Sequence, residues 1–283
     1  MTAAESYRVA GVQMEPILGK VEQNRQAILD RLAEASENGA RLVVFPECAL
    51  TGYGFETREE ALPFAEAADG PSAAIIREAC EKLQVYAVYG FLESDRDRLF
   101  NACLLVGPDG KRAIYRKVHL PFLGVDRVTD PGDLPFAVHD AGGVKIGMHI
   151  CYDGAFPEVG RVLTLLGAEL LVLPTNWPTH SECAADHMIA TRSMENVVYS
   201  MAVNRVGEER GFRFIGRSSI TATNGTILAK GSDDAEEILY ADIIPAVARR
   251  KRLIRVAGKH EVDRIADRRP GFYGPIVAPN GRD

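Results

Sequence analysis

The chain has 283 residues, 46% hydrophobic and 25% charged, the balance of a globular protein that folds as one large domain or two modest ones. Its formal net charge of −6 leaves no global basic footprint, which argues against nucleic acid as a partner. No apolar run approaches the roughly 20 residues needed to cross a bilayer, which argues against a membrane span.

The opening Met1-Thr2-Ala3-Ala4-Glu5-Ser6 has no basic stretch followed by an apolar one, so no secretory leader is expected. Residues 7–14 (YRVAGVQM) read as a buried strand. Residues 21–38 carry helical spacing, with Ile28, Leu29, Leu32 and Ala35 on one face and Gly39 as the stop. Residues 41–45 form a second strand that delivers Pro46-Glu47 at its carboxyl end. A short helix is expected over 59–66, and a better one over 72–83 with Ser72 as its cap. Residues 85–92 and 99–106 read as paired strands joined by a charged turn at 93–98. The turn Pro108-Asp109-Gly110 leads into a further strand at 113–116.

Residues 117–135 are the one long irregular stretch, and loops of that length inside compact domains tend to be functional. An apolar run, Val144-Lys145-Ile146-Gly147-Met148-His149-Ile150, then ends in Cys151. Pro157 suits the first turn of a helix over 158–166. Strands at 170–173 and 199–204 flank a helix over 181–197. Strands at 218–223, 227–230 and 238–243 make a second meander, and from Pro245 the chain reads as an Arg-rich, then Pro/Gly-rich extended tail.

Gly39-Ala40-Arg41-Leu42-Val43-Val44-Phe45-Pro46 is echoed by Gly167-Ala168-Glu169-Leu170-Leu171-Val172-Leu173-Pro174. Two such helix–strand units point to a pseudo-symmetric layered α/β domain, helices outside two sheets, with strand ends meeting at one site.

Cys151 stands at a strand-to-helix elbow, where a side chain projects from the sheet edge and the helix-opening N–H groups favour a thiolate. A buried core cysteine is the alternative. Glu47 and Lys117 likewise lie at or just after strand ends; taken singly, each also reads as an ordinary solvated charge. The five cysteines (48, 80, 103, 151, 183) contain no Cys-x-x-Cys pair, which speaks against a disulfide framework or zinc knuckle and for a reducing cytosol.

Taken together, Phe45-Pro46-Glu47-Cys48-Ala49-Leu50-Thr51-Gly52-Tyr53, Tyr115-Arg116-Lys117-Val118-His119-Leu120-Pro121, Gly147-Met148-His149-Ile150-Cys151-Tyr152-Asp153 and Arg192-Ser193-Met194-Glu195-Asn196 resemble, in order, signature segments of the nitrilase or carbon–nitrogen hydrolase superfamily. The resemblance runs over essentially the whole chain. It implies a single domain with a four-layer α-β-β-α sandwich and a Glu47–Lys117–Cys151 triad. It also implies no metal or other cofactor, and a homodimer in which the arm from about 245 crosses to a partner. In these roles Glu47 is the general base, and Lys117 with the Tyr152 backbone N–H stabilises the oxyanion.

Many relatives carry a second glutamate between the lysine and the cysteine. Here the nearest acid is Asp126, which either positions Lys117 or the substrate, or pairs with Arg127. Cys151-Tyr152-Asp153 resembles the amidase-like and omega-amidase-like branches rather than true nitrilases. Tyr53, Asn176 and Trp177 are candidates for the substrate side, with Trp177 equally readable as core. His149 and His119 read as structural, and a metal site from His149, Cys151 and Asp153 is disfavoured. The leading expectation is a hydrolase of small linear amides. An N-carbamoyl amidohydrolase on the same triad is its nearest rival, and a non-catalytic binding protein is a third reading.

Overall fold

The computed structural model describes residues 5–279. The strands of the first half are β1 (Tyr7–Gln13), β2 (Leu42–Val44), β3 (Tyr86–Asp95), β4 (Arg98–Val106) and β5 (Arg112–Arg116). Those of the second are β6 (Val138–Asp140), β7 (Lys145–Met148), β8 (Leu170–Thr175), β9 (Tyr199–Asn204), a small hairpin of β10 (Glu208–Glu209) and β11 (Phe212–Arg213), β12 (Ser219–Thr221), β13 (Ile227–Lys230) and β14 (Glu237–Ile243). The α-helices before the tail are α1 (Val21–Glu37), α2 (Arg58–Ala61), α3 (Pro71–Leu83), α4 (Pro157–Leu165) and α5 (Ile189–Asn196).

Two six-stranded sheets result, in the orders β14-β1-β2-β3-β4-β5 and β6-β7-β8-β9-β12-β13. Read in those orders, both sheets pair antiparallel, parallel, parallel, antiparallel, antiparallel. The two echoed segments supply the third strand of each sheet. The helices before them end alike: Ala40 N–H donates to Ala35 O and Gly39 N–H to Ser36 O, as Ala168 does to Leu163 and Gly167 to Thr164. The pseudo-symmetry expected from the echo is therefore a property of the topology.

Side-chain alternation sorts residues into layers. Tyr7, Val9, Leu42 and Val44 point between the sheets and meet Ile146, Met148, Leu170 and Val172. Ala10, Val12 and Val43 face the other way, against Ile28 and Leu32 of α1 and Ile76 of α3. Leu171 packs under Val159 and Leu163 of α4. Both faces of β2 and β8 are thus covered, which is why each reads as an unbroken apolar run. Burial of each Val or Leu contributes about 1.5–3 kcal/mol. The layers are α-β-β-α.

Several local expectations shift. The helix expected to be capped by Ser72 begins at Pro71, with Gly70 as N-cap. Glu66 meets the opening turn, its carboxylate accepting from Ser72 N (2.8 Å) and Ser72 Oγ (2.7 Å). The turn between β3 and β4 shrinks to Arg96-Asp97, the strands absorbing the rest. The helix expected over 181–197 forms over residues 182–196, with one turn, Ala184–Met188, wound as π before α5. The tail is not simply extended: it forms a short α6 (Pro245–Arg249) and a hairpin of β15 (Arg252–Val256) and β16 (His260–Asp263).

Candidate active site

Strand ends bring the site together. β2 runs out into Pro46-Glu47, β5 into Lys117, β8 into Asn176, and the chain beyond β7 into Cys151. Glu47 is pressed against β3 at Gly90, where a Cβ would stand 2.6 Å from Glu47 Cα and 2.3 Å from Cys48 N. Only glycine lets that strand pass so close.

Lys117, 1% exposed, donates from Nζ to Glu47 Oε1 at 2.7 Å and to Asp126 Oδ2 at 2.5 Å. Asn101 of β4 donates from Nδ2 to the same Glu47 Oε1 (2.7 Å) and to Asp126 Oδ1 (2.8 Å). One ammonium thus lies between two buried carboxylates, and Asn101 spans them. Burial alone would lower the Lys117 pKa, but Asp126 and then Glu47 hold it well above the usual lysine value, so it is a fixed cation. Glu47 is pushed up by burial and by Asp126, against the pull of Lys117 and Asn101. Its Oε1 is fully engaged, while Oε2 is buried without a protein partner.

Cys151 opens a 3-10 turn, Cys151–Ala155, with a backbone φ of +45° and 6% exposure. That conformation costs on the order of 1 kcal/mol for an L-residue and belongs to a sharp elbow. Burial, followed by the charge of Glu47, pushes the thiol up to about 12, outweighing Lys117, the Thr175 hydroxyl and the Asn176 backbone. The expected preference for thiolate is therefore opposed: burial and Glu47 favour the protonated sulfur.

Asp126 sits in a 3-10 turn, Gly124–Arg127, and turns to Lys117 rather than Arg127, whose Nε donates to Gly124 O. Tyr53, expected on the substrate side, donates its hydroxyl to Asp126 Oδ2 (2.7 Å) and sets its ring edge-on to Phe214. That contact supports the acid. Asn176 is 1% exposed, and both its Oδ1 and Nδ2 are without protein partners. Trp177 is 5% exposed and belongs to the apolar cluster that contains Cys151. The Tyr152 side chain points outward, edge-on to Phe156. His149 is buried and pushed down to about 4, principally by that burial, so it is neutral and not the base. Asp153 is saturated by Tyr115, His119 and the Ile150 N–H. Among the described residues no group of His, Cys, Asp and Glu side chains is arranged to hold a metal.

Sequence reasoning missed Asn101, Glu209 and the role of Asp153. Asn101 had a signal, being the one amide in the apolar strand LFNACLLV. Glu209 had none: it accepts from Tyr53 N (2.8 Å) and Gly54 N (2.5 Å) across 156 and 155 residues.

Comparison with known proteins agrees with this frame. The model of the family described as Carbon-nitrogen hydrolase matches residues 8–252. A protein named "Nitrilase" from Pyrococcus abyssi is 38% identical over 267 residues, covering 94% of this chain and 98% of its own. A "Formamidase" from Bacillus thuringiensis is 30% identical over 263 residues, covering 89% and 76% respectively. An amidase from Nesterenkonia sp. shares the fold, with a TM-score of 0.80 at 22% identity over 97% of both chains. The motifs, the family model over residues 8–252 and the almost end-to-end match with the Pyrococcus abyssi protein converge on one assignment: this chain belongs to the carbon–nitrogen hydrolase family.

Proposed function

We propose that the protein cleaves the C–N bond of a small linear amide through a thioester on Cys151. The observation that carries this reading is a buried thiol grouped with a carboxylate whose Oε2 is unpartnered, a fixed ammonium, and the unpartnered side-chain amide of Asn176. Buried polar atoms without partners are rare in proteins, and such a group is suited to the polar atoms of a substrate.

Glu47 takes the thiol proton as sulfur bonds to the amide carbon, and the carbonyl π pair moves to oxygen. Lys117 and the N–H groups opening the 3-10 turn, that of Tyr152 included, stabilise the oxyanion; one such donor is typically worth about 10²–10³-fold in rate. Collapse breaks the C–N bond, the nitrogen leaves with the proton held by Glu47, and a thioester remains. Water then attacks, giving its proton to Glu47. The C–S bond breaks, the acid departs, and sulfur regains its proton. The tight burial of Cys151, Asn176 and Trp177 favours a short acyl group. The relative named "Formamidase" supports the amide reading, and the one named "Nitrilase" makes nitriles the second class to test.

The test is intact-protein mass with ammonia release, over short amides, N-carbamoyl amino acids and nitriles. Short amides are expected to give an acyl adduct on the wild type and none on Cys151→Ala. Ammonia release that survives Cys151→Ala would refute the mechanism.

For partners, the reading is a homodimer. The tail beyond α6 lies along α4 and leaves a cleft of about 610 Å³ whose lining includes Val162, Leu165, Ile276 and Val277. Arg161 and Arg264 share its rim with Glu158 and Glu195, a mixed-sign pattern suited to a self-complementary twofold contact. The cysteines are all free, which fits the reducing compartment proposed for it, and no helix among the described residues is long and apolar enough to cross a membrane.

A further inference from the structure

We infer that Asp153 is a positioning residue that ties the Cys151 elbow to the Lys117 strand end and so sets where the thiol stands relative to the ammonium and Glu47. The inference rests on the hydrolase reading above for its consequence in turnover, but its geometry is independent of any substrate.

Asp153 is fully buried. Its Oδ2 accepts from the Tyr115 hydroxyl at 2.7 Å and from Ile150 N at 3.0 Å. Its Oδ1 accepts from His119 N at 3.0 Å and lies 2.7 Å from His119 Nδ1. Tyr115 and His119 stand two residues either side of Lys117. Ile150 and Asp153 itself bracket Cys151. One carboxylate therefore grips both flanks of the lysine and both flanks of the nucleophile.

Two features make that grip consequential. Lys117 follows β5, at the edge of the first sheet, whereas Cys151 hangs from β7 of the second, and no backbone ladder joins those strands. Cys151 also holds a left-handed backbone, which persists only where the surroundings enforce it. Asp153 does so through a reciprocal pair: its own N–H donates to Ile150 O at 2.9 Å while its carboxylate accepts from Ile150 N. His119 in turn stacks flat on Phe156, with centroids 3.7 Å apart and planes 15° from parallel. Burial would push the Asp153 carboxyl up, but His119, Ile150 and Tyr115 hold it below the usual range, so the ionised acceptor is what the fold selects. An asparagine there would aim an N–H at groups that themselves donate.

The test compares wild type, Asp153→Asn, Tyr115→Phe and the double variant. Two quantities are read: kcat per Cys151 able to form the acyl adduct, and the rate of Cys151 alkylation by iodoacetamide, followed on the Cys151 peptide because Cys183 is exposed. Misplacement by about 1 Å can cost on the order of 10²-fold. Asp153→Asn is therefore expected to lose about that factor in kcat per competent site, with KM changed less than about 3-fold, and alkylation slowed in step. Tyr115→Phe is expected to lose about 10-fold, and the double variant little more than Asp153→Asn alone, since the two act through one contact. A merely structural role would lower the number of competent sites and leave kcat per site alone. Wild-type kcat per site in either folded variant would overturn the inference, and Tyr115→Phe decides it if Asp153→Asn does not fold. If the wild type turns over no amide, the hydrolase reading has failed, and the alkylation rates still decide this one: equal rates in all four proteins overturn it.

Discussion

The charge arrangement of Glu47, Lys117 and Asp126 governs what single substitutions do. The Glu47 carboxyl is raised above its ordinary 4.5 by burial first and Asp126 second, and in the proposed mechanism its ionised form is the base. The acid limb of kcat/KM is therefore expected above pH 4.5. A raised carboxyl favours the protonated form in the fold, so its stabilising share is lost as pH rises through the folded value. Glu47→Gln, neutral at every pH, should match or exceed the wild-type Tm at neutral pH while losing about 10³-fold in activity. A melting point several degrees lower would show that the charge stabilises the fold instead. Lys117→Met leaves two buried carboxylates facing Asn101 without a cation, and its denaturant midpoint should report a loss of about 3–5 kcal/mol. Glu47, Lys117 and Cys151 were legible because each stands in its own signature at a strand end. Asp126 was legible only as two alternatives, since its choice of Lys117 over Arg127 depends on how the loop folds back.

The elements position these residues by close contact more than by propensity. β3 must pass Glu47 at Gly90, so Gly90→Ala forces the backbone of residues 46–48 aside. A loss of about 1–3 kcal/mol in a urea melt, together with reduced kcat, is expected; a variant with the wild-type midpoint and kcat would show that β3 has room to give. Strand and helix cores were readable from period, because apolar runs and 3.6 spacing are local. Local details moved where neighbouring contacts decided them: Gly70 caps α3 while the Glu66 carboxylate accepts from Ser72 in its opening turn, and the helix expected over 181–197 winds one turn as π. The β10–β11 hairpin lacked a run long enough to signal itself, yet it carries Glu209, which holds the loop of Tyr53.

For the whole molecule, the repeated helix–strand unit foretold two sheets of equal topology, and the apolar strip on α4 and the tail bears on assembly. Light scattering of the full chain is expected to give a dimer, and Val162→Asp with Leu165→Asp to give monomer. A monomeric wild type would reject the assembly reading and leave the strip as an exposed groove.

The sequence by itself determined the layered α/β plan, the family and which three residues the proposed mechanism uses as nucleophile, base and cation. Those follow from local pattern and from motifs a few residues long. Tertiary structure alone decided that Asn101 bridges the two acids, that Tyr53 serves Asp126 and that Asp153 joins the two sheets. Only there do burial and the charge of Glu47 push the Cys151 thiol up. These outcomes depend on burial and on contacts between residues far apart in the chain, and neither quantity is written in the spacing of residues along a strand.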